Sequence, residues 1–289
     1  GIIIRFLIIL KFISGISVRF NLYAVIIFCI YIIFFYTLCR LRWCTFFFPI
    51  LFDFIYGYAS TGKITLSIRN YIQSHFPCCF LAATASWIQE HPDLRINEIA
   101  EVSQEDLSRA SLLKTPQQVL AVFEQPQYTL TPGVARHSLC LALDDVQDPG
   151  NLGTIVRLAD WFGIEHIICS QNTVDVYNPK TIQATMGGIA RVKVHYTSLP
   201  DFIRSLGEDI PVFGTFLNGK NMYEQPLTAN GLIVMGNEGN GIGKEVETLI
   251  NRKLYIPNYP QGKETSESLN VAIATAVICA EFRRQAAWK

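Results

Sequence analysis

The chain has 289 residues, enough for one or two domains. Its 24 basic and 24 acidic residues cancel, so no overall charge points to a polyanionic partner, although a local basic patch is compatible with a neutral total. Eight cysteines are scattered singly apart from Cys78-Cys79, with no C-x-x-C pair, which argues against a zinc site or a disulfide framework and fits a reducing compartment.

The composition changes along the chain. Residues 1–60 hold 17 of the 35 aromatics, five Lys or Arg and a single acid, Asp53. Leu22–Cys39 runs for 18 residues without a charge, long enough for a transmembrane helix. The flanking Arg19, Arg40 and Arg42 give it no clear orientation. Three readings compete for residues 1–75: a membrane anchor, a cleaved signal peptide, and a stretch foreign to the native protein, translated from AT-rich DNA upstream of or out of frame with the gene. The run is too long for a signal peptide and lacks a small-residue cleavage site. Its dominance by Ile, Phe, Tyr and Leu favours the third reading.

From about Phe80 the pattern is that of an ordinary α/β protein. Phe80–Trp87 reads as a strand running into a turn, and Ile96–Val102 alternates as a strand does. Ser103 caps a helix whose first turn carries Glu105 and Asp106. Ser111–Pro116 is a loop, Gln118–Glu124 a strand, and the proline-rich Pro126–Gly133 a linker. The chain then alternates regularly. Strands are expected at Ser138–Leu143, His166–Ser170, Val192–Tyr196, Val212–Phe216 and Leu232–Met235, with a short one ending at Ile256-Pro257. Helices are expected at Leu152–Phe162 with Asn151 in the cap position, after Asn178-Pro179, at Pro200–Leu206, after the glycine turn Gly236–Gly243, and at Asn270–Gln285. Such alternation means a mostly parallel sheet with helices on both faces.

Three stretches could carry chemistry. In Asp148-Pro149-Gly150-Asn151-Leu152-Gly153, followed by Arg157, the residues Leu152, Ile155, Ala159 and Phe162 form the apolar helix face. Gly153, Arg157 and Asp160 share the opposite one. The glycine admits a close approach, and the arginine either binds a phosphate or carboxylate or pairs with Asp160 in solvent. Gly236-Asn237-Glu238-Gly239-Asn240-Gly241 follows a strand, but its spacing is not that of a dinucleotide fingerprint and it lacks the Lys-Ser/Thr of a phosphate loop. Its glutamate would repel a phosphate, so the turn suits a ligand with hydroxyl or amino groups, holds backbone donors, or is simply tight. The polar loop Asn258–Leu269 leads into Ser268-Leu269-Asn270-Val271, where Asn270 reads as a helix cap. The five histidines show no metal-ligand spacing and read as structural or surface residues.

Taken together, N-x-G-x-x-x-R, G-N-E-G-x-G and I-P…S-L-N-V, in that order, resemble the three motifs of the SpoU family of RNA 2′-O-ribose methyltransferases in the SPOUT superfamily. The resemblance spans about Ser138–Gln285. Phe80–Glu124, with L-K-T-P-Q-x-V-L-A-V at Leu113–Val122, resembles the family's N-terminal RNA-binding domain, whose first strand and helix are not recognisable here. The resemblance implies an α/β fold of SPOUT type: a parallel sheet with a C-terminal deep trefoil knot, preceded by a partial small α/β substrate-binding domain. The corresponding divisions are 1–75, 76–125, a linker at 126–137, and a methyltransferase domain at 138–289.

It further implies an enzyme that uses S-adenosylmethionine, bound bent in the knot, to methylate a ribose 2′-hydroxyl in rRNA or tRNA. Carried over by motif, the cofactor pocket is formed by Gly236, Ile256 and Leu269, largely through backbone groups, with Thr215, Leu217 and Gly219 of the loop beneath. Asn237, Gly241, Pro257, Ser268 and Asn270 complete it. Arg157, Asn151 and Glu238 are the implied catalytic residues. A guanidinium stays protonated in proteins, so Arg157 suits binding of the neighbouring phosphate and of a developing alkoxide better than the role of base. Glu238 would orient Arg157 or a backbone turn. The family also implies a homodimer with a composite active site, no metal, and a cytoplasmic location, with membrane association if residues 1–58 are native. The alternatives are a SPOUT-fold module that binds RNA or cofactor without turnover, a membrane-tethered enzyme, and a base-methylating relative.

Overall fold

The structure is a computed structural model that describes residues 78–94, 96, 98–111, 117–260, 266 and 268–287. The apolar stretch 1–75, with its candidate span Leu22–Cys39, lies outside the described residues, as does most of the Ser111–Pro116 loop. Among the described residues no helix is long and apolar enough to cross a membrane.

The first unit is a three-stranded sheet of β1 (Cys78–Ala83), β2 (Ile99–Glu101) and β3 (Val119–Phe123), in the order β2-β1-β3. β1 runs parallel to β2 and antiparallel to β3. Over Phe80–Trp87, where a strand running into a turn is expected, the strand ends at Ala83. Thr84 has extended backbone and its hydroxyl accepts from the Trp87 N–H, so a helix, α1 (Ala85–Glu90), starts there instead. That turn buries Trp87 against Leu81, Ala83, Val119 and Ala121. Ser103 caps α2 (Gln104–Ala110) as expected, accepting from the Asp106 N–H.

A six-stranded sheet follows. Its elements are α3 (Val134–His137), β4 (Leu139–Leu143), α4 (Pro149–Trp161), β5 (His166–Cys169), α5 (Pro179–Thr185), β6 (Lys193–Tyr196), α6 (Leu199–Ser205), β7 (Val212–Asn221), β8 (Gly231–Met235), α7 (Lys244–Thr248), β9 (Arg252–Tyr255) and α8 (Val271–Ala287). The strand order is β6-β5-β4-β8-β7-β9, and every neighbouring pair is parallel. The central strands β4 and β8 are buried at every residue, which is why they read as unbroken apolar runs rather than alternations. Leu139, Leu141, Leu143 and Ile233 face one layer, with Ile155 and Ala159 of α4 and Ile278 and Phe282 of α8. Cys140, Ala142, Leu232 and Val234 face the other, with Phe202 of α6 and Val246 of α7. Each fully buried Leu or Ile contributes roughly 1.5–3 kcal/mol.

Two details differ from the sequence reading and shape the site. Helix α4 begins at Pro149, three residues before the expected start. Its cap is Asp148, whose carboxylate accepts from the Asn151 N–H, so Asn151 lies inside the first turn. Strand β7 continues to Asn221, because Thr215 and Lys220 both pair with Leu254 of β9. Residues 216–219 therefore loop outward between them. A side chain at Gly219 would place its Cβ 2.4 Å from the Leu254 carbonyl, so that return demands glycine.

Candidate active site

The C-terminal ends of β4, β8, β7 and β9 lie side by side, and the three motif loops leave the sheet from them. Such an edge is where open parallel sheets carry small-molecule sites. At the end of β8, Gly236 passes so close to the far side of its own turn that a Cβ would sit 2.2 Å from the Gly241 carbonyl carbon. Asn237 and Gly241 exchange backbone hydrogen bonds of 2.9 and 3.0 Å, and Gly241 takes φ +70°. The Asn237 side chain fills the turn, accepting at Oδ1 from the N–H groups of Gly239 (2.9 Å) and Asn240 (3.0 Å). This tight turn leaves Glu238 exposed at its tip.

One polar chain joins the three motifs. Asn270 caps α8, its Oδ1 accepting from the N–H groups of Ala272 (3.0 Å) and Ile273 (3.3 Å). Its Nδ2 donates to Oδ1 of Asn151 (3.0 Å), and Nδ2 of Asn151 donates to Oε1 of Glu238 (2.9 Å). The carboxylate can only accept, which fixes the orientation of both amides. The chain thus runs from the positive end of α8 to a negative charge, and each link polarises the next. Because Asp148 caps α4, the side chain of Asn151 is free to take part.

Arg157 lies about one and two-thirds turns beyond Asn151 on α4. It is exposed, and its guanidinium makes no ion pair among the described residues. Asp160 is held by Arg191 through two 2.7 Å contacts, so the i,i+3 pair considered from the sequence does not form. Gly153 serves packing: a Cβ there would meet the Thr181 carbonyl at 2.4 Å and the Ala184 Cβ at 2.5 Å, so the glycine lets α5 lie against α4. Burial is the main influence on the Asp144 carboxyl and pushes its pKa up, while a hydrogen bond from the Gly243 N–H opposes the shift. The N–H of Asn151, aided by Lys180, holds Asp148 below its ordinary range.

Of the remaining sequence-derived positions, Thr215, Leu217, Ile256 and Pro257 lie on β7 and at the end of β9, while Ser268 and Leu269 precede the cap of α8. Thr215 is half-buried, with its hydroxyl 4.0 Å from Sδ of Met235. Leu217 is 76% exposed and Leu269 49% exposed. Ile256 packs partly against the core, Pro257 is half-buried, and Ser268 is exposed. At Gly219 and Gly236 the backbone itself is open to close approach, which suits a ligand held through main-chain groups, as the sequence resemblance implies for S-adenosylmethionine. Among the described residues, no group of three or more His, Cys, Asp or Glu side chains is placed to hold a metal ion. Sequence reasoning missed Asp144, Asp145 and Ser170, whose signal was two acids directly after a wholly apolar strand.

The fold and this edge define an α/β protein of the kind that places a polar site on three loops at one end of a parallel sheet. The profile of the SpoU rRNA Methylase family matches residues 138–280, and the chain belongs to that family. It is 35% identical over 184 residues to the 23S rRNA (guanosine(2553)-2'-O)-methyltransferase RlmP of Bacillus subtilis, covering 63% of this chain and 71% of that protein. A solved putative RNA methyltransferase of the TrmH family from Porphyromonas gingivalis is 37% identical, with a TM-score of 0.68 over 79% of this chain and 90% of that one. The SpoU methyltransferase AviRb of Streptomyces viridochromogenes, solved in complex with AdoMet, is 25% identical, with a TM-score of 0.64 over 77% of this chain and 88% of that one.

Proposed function

We propose that this protein transfers a methyl group from S-adenosylmethionine to a ribose 2′-hydroxyl of ribosomal or transfer RNA. The observation that carries the reading is the Asn270–Asn151–Glu238 chain, which links the three motif loops within reach of one sheet edge. Gly219, Gly236, Ile256 and Leu269, with Thr215, Leu217, Asn237, Gly241, Pro257, Ser268 and Asn270 around them, would hold the cofactor. When bound, it supplies an electrophilic methyl carbon. The protein's part is to place and charge-balance the nucleophile. Arg157, exposed and outside any ion pair among the described residues, binds the phosphate beside the target ribose and stabilises negative charge growing on the 2′-oxygen. Asn151 and Glu238 fix the loop beside it.

The same reading includes a trefoil knot made by the C-terminal segment and a homodimer whose subunits share the site. Residues 76–125 form an RNA-docking unit, 126–137 the linker and 138–289 the methyltransferase domain, in a cytoplasmic protein. The three-stranded sheet before the linker supports that division.

The test is incubation of the full chain with tritiated S-adenosylmethionine and total ribosomal or transfer RNA, followed by RNase T2 digestion. Label in T2-resistant dinucleotides is the expected result. Label in nucleoside 3′-monophosphates would indicate a base methyltransferase. Cofactor binding by calorimetry with no transfer would indicate a binding module and overturn the reading.

A further inference from the structure

Asp145 is one of two non-glycine residues with positive φ among the described residues, at +58°. For most side chains such a backbone is unfavourable and persists where its surroundings over-determine it. Here they do. The Asp145 N–H donates to Oγ of Ser170 (2.9 Å), and its carboxylate accepts from the same hydroxyl (2.7 Å). Its carbonyl accepts from Nδ2 of Asn237 (2.7 Å). The preceding residue grips the other end of the same turn. The Asp144 carboxylate, 9% exposed, accepts from the Gly243 N–H at 2.7 Å, and its own N–H donates to the Met235 carbonyl at 2.9 Å. Thr173 closes the third side, donating to the Leu143 carbonyl (3.1 Å).

We infer that Asp144 and Asp145 are positioning residues for the proposed reaction, a brace that holds both ends of the Gly236–Gly243 turn to β4 and so sets Glu238 at bonding distance from Asn151. Asn237 opens the turn and Gly243 closes it, and Glu238 stands on the segment between. Asn151 lies six residues beyond Asp145, in the first turn of α4, at the far end of the short loop that Asp145 opens, so the brace ties the Glu238 turn to the loop that leads into Asn151. This inference rests on the methyltransferase reading, but it makes a separate structural claim.

The test is a double-mutant cycle on the full chain, read as methyl transfer to total ribosomal RNA. Valine cannot take positive φ without strain, so Asp145→Val shifts the loop. A misplacement of about 1 Å at such a site costs on the order of 100-fold. Asp145→Val is therefore expected to lower kcat by about 30- to 100-fold in wild type and less than threefold in a Glu238→Ala background. Asp145→Gly accepts the same φ and keeps the N–H and C=O, and it restores activity to within about threefold of wild type. Independent, multiplicative losses, or a glycine variant as impaired as the valine variant, would overturn the brace. If Asp145→Val does not fold, Ser170→Ala removes two of the same bonds and runs the same cycle. Amide hydrogen exchange gives a readout that does not need turnover. Asp145→Val or Ser170→Ala should speed exchange at Gly241 and Gly243, and unchanged protection there sinks the inference. A wild-type chain that transfers no methyl group would remove the proposed function, leaving the exchange result to decide the brace.

Discussion

Replacing Asn151 by Asp tests the polar chain at its middle link. The substitution keeps the shape and the acceptor that receives Nδ2 of Asn270, but it exchanges the donor facing Glu238 for a second carboxylate oxygen. At the present separation of 2.9 Å, two unit charges repel by about 1.4 kcal/mol in water and about 6 kcal/mol at an effective dielectric of about 20. Asn151 is half-buried and Glu238 exposed, which places the pair towards the aqueous limit, at roughly 1.5–3 kcal/mol. If the bond positions the reacting loop, transfer should fall by about 10- to 100-fold at pH 8. A single shared proton removes the repulsion, so the ratio of variant to wild-type activity should climb as pH is lowered towards 5. The double variant N151D/E238Q reverses the direction of the bond and should recover most of the loss. The assay is initial-rate methyl transfer to ribosomal RNA across pH 5–8.5, with wild type measured at every point. A ratio that stays flat with pH, or a double variant no better than N151D, would refute the argument.

Arg157→Ala should cost at least about 100-fold in transfer while moving the melting temperature little, because the side chain is exposed and outside any ion pair seen among the described residues. A comparable loss of stability would make Arg157 a structural residue. Gly236→Ala forces a Cβ to within 2.2 Å of the turn's own backbone and should destabilise the chain by about 1–3 kcal/mol, with cofactor affinity lost in calorimetry; a wild-type melt would refute the packing. Burial, reinforced by the nearby charges of His166 and Lys193, lowers the pKa of His195 to about 4. The unfolded chain, with its histidine near 6.5, therefore binds the extra proton first. Stability present above pH 6.5 is lost as pH falls towards 4, by about 2 kcal/mol between pH 7 and pH 5. Urea melts of wild type and His195→Gln should show a smaller acid loss in the variant, and equal slopes with pH would remove His195 as the cause.

The strand order's raw material was legible because period and burial act locally. β4, β5, β6 and β8 lie within a residue or so of their expected bounds, and the apolar runs of β4 and β8 announced strands buried on both faces. Errors arose where a choice depended on a distant partner or on a neglected local rule. The cap of α4 was legible in principle. A proline at the first helical position sets the cap one residue earlier, the rule that correctly placed Asn178 before Pro179. Applied to Asp148-Pro149, it gives the observed start. The extension of β7 was not legible, since Lys220 and Asn221 are strand only through β9, some thirty residues later.

The candidate site divides along the same line. Which residues carry polar chemistry could be read from the motifs, but what each one touches could not. Asn151 and Glu238 are 87 residues apart, and Asn151 and Asn270 are 119 apart. Their meeting depends on β8 pairing with β4, and on α8 packing over α4. The sequence reading gives Glu238 the role of orienting Arg157 or a backbone turn, without naming Asn151. The register Leu143↔Met235 brings the Gly236 turn alongside the start of α4, and there Asn151 donates to Glu238. Asp145 shows the limit most clearly. Aspartate tolerates the left-handed region better than most residues, so nothing in the sequence marks it as strained. Its conformation becomes visible as a constraint once Ser170 and Asn237 are seen to hold its N–H, its carboxylate and its carbonyl. A residue bound at every polar group to two other loops cannot relax alone. Any substitution there that refuses positive φ must therefore move the glycine turn, and Glu238 with it.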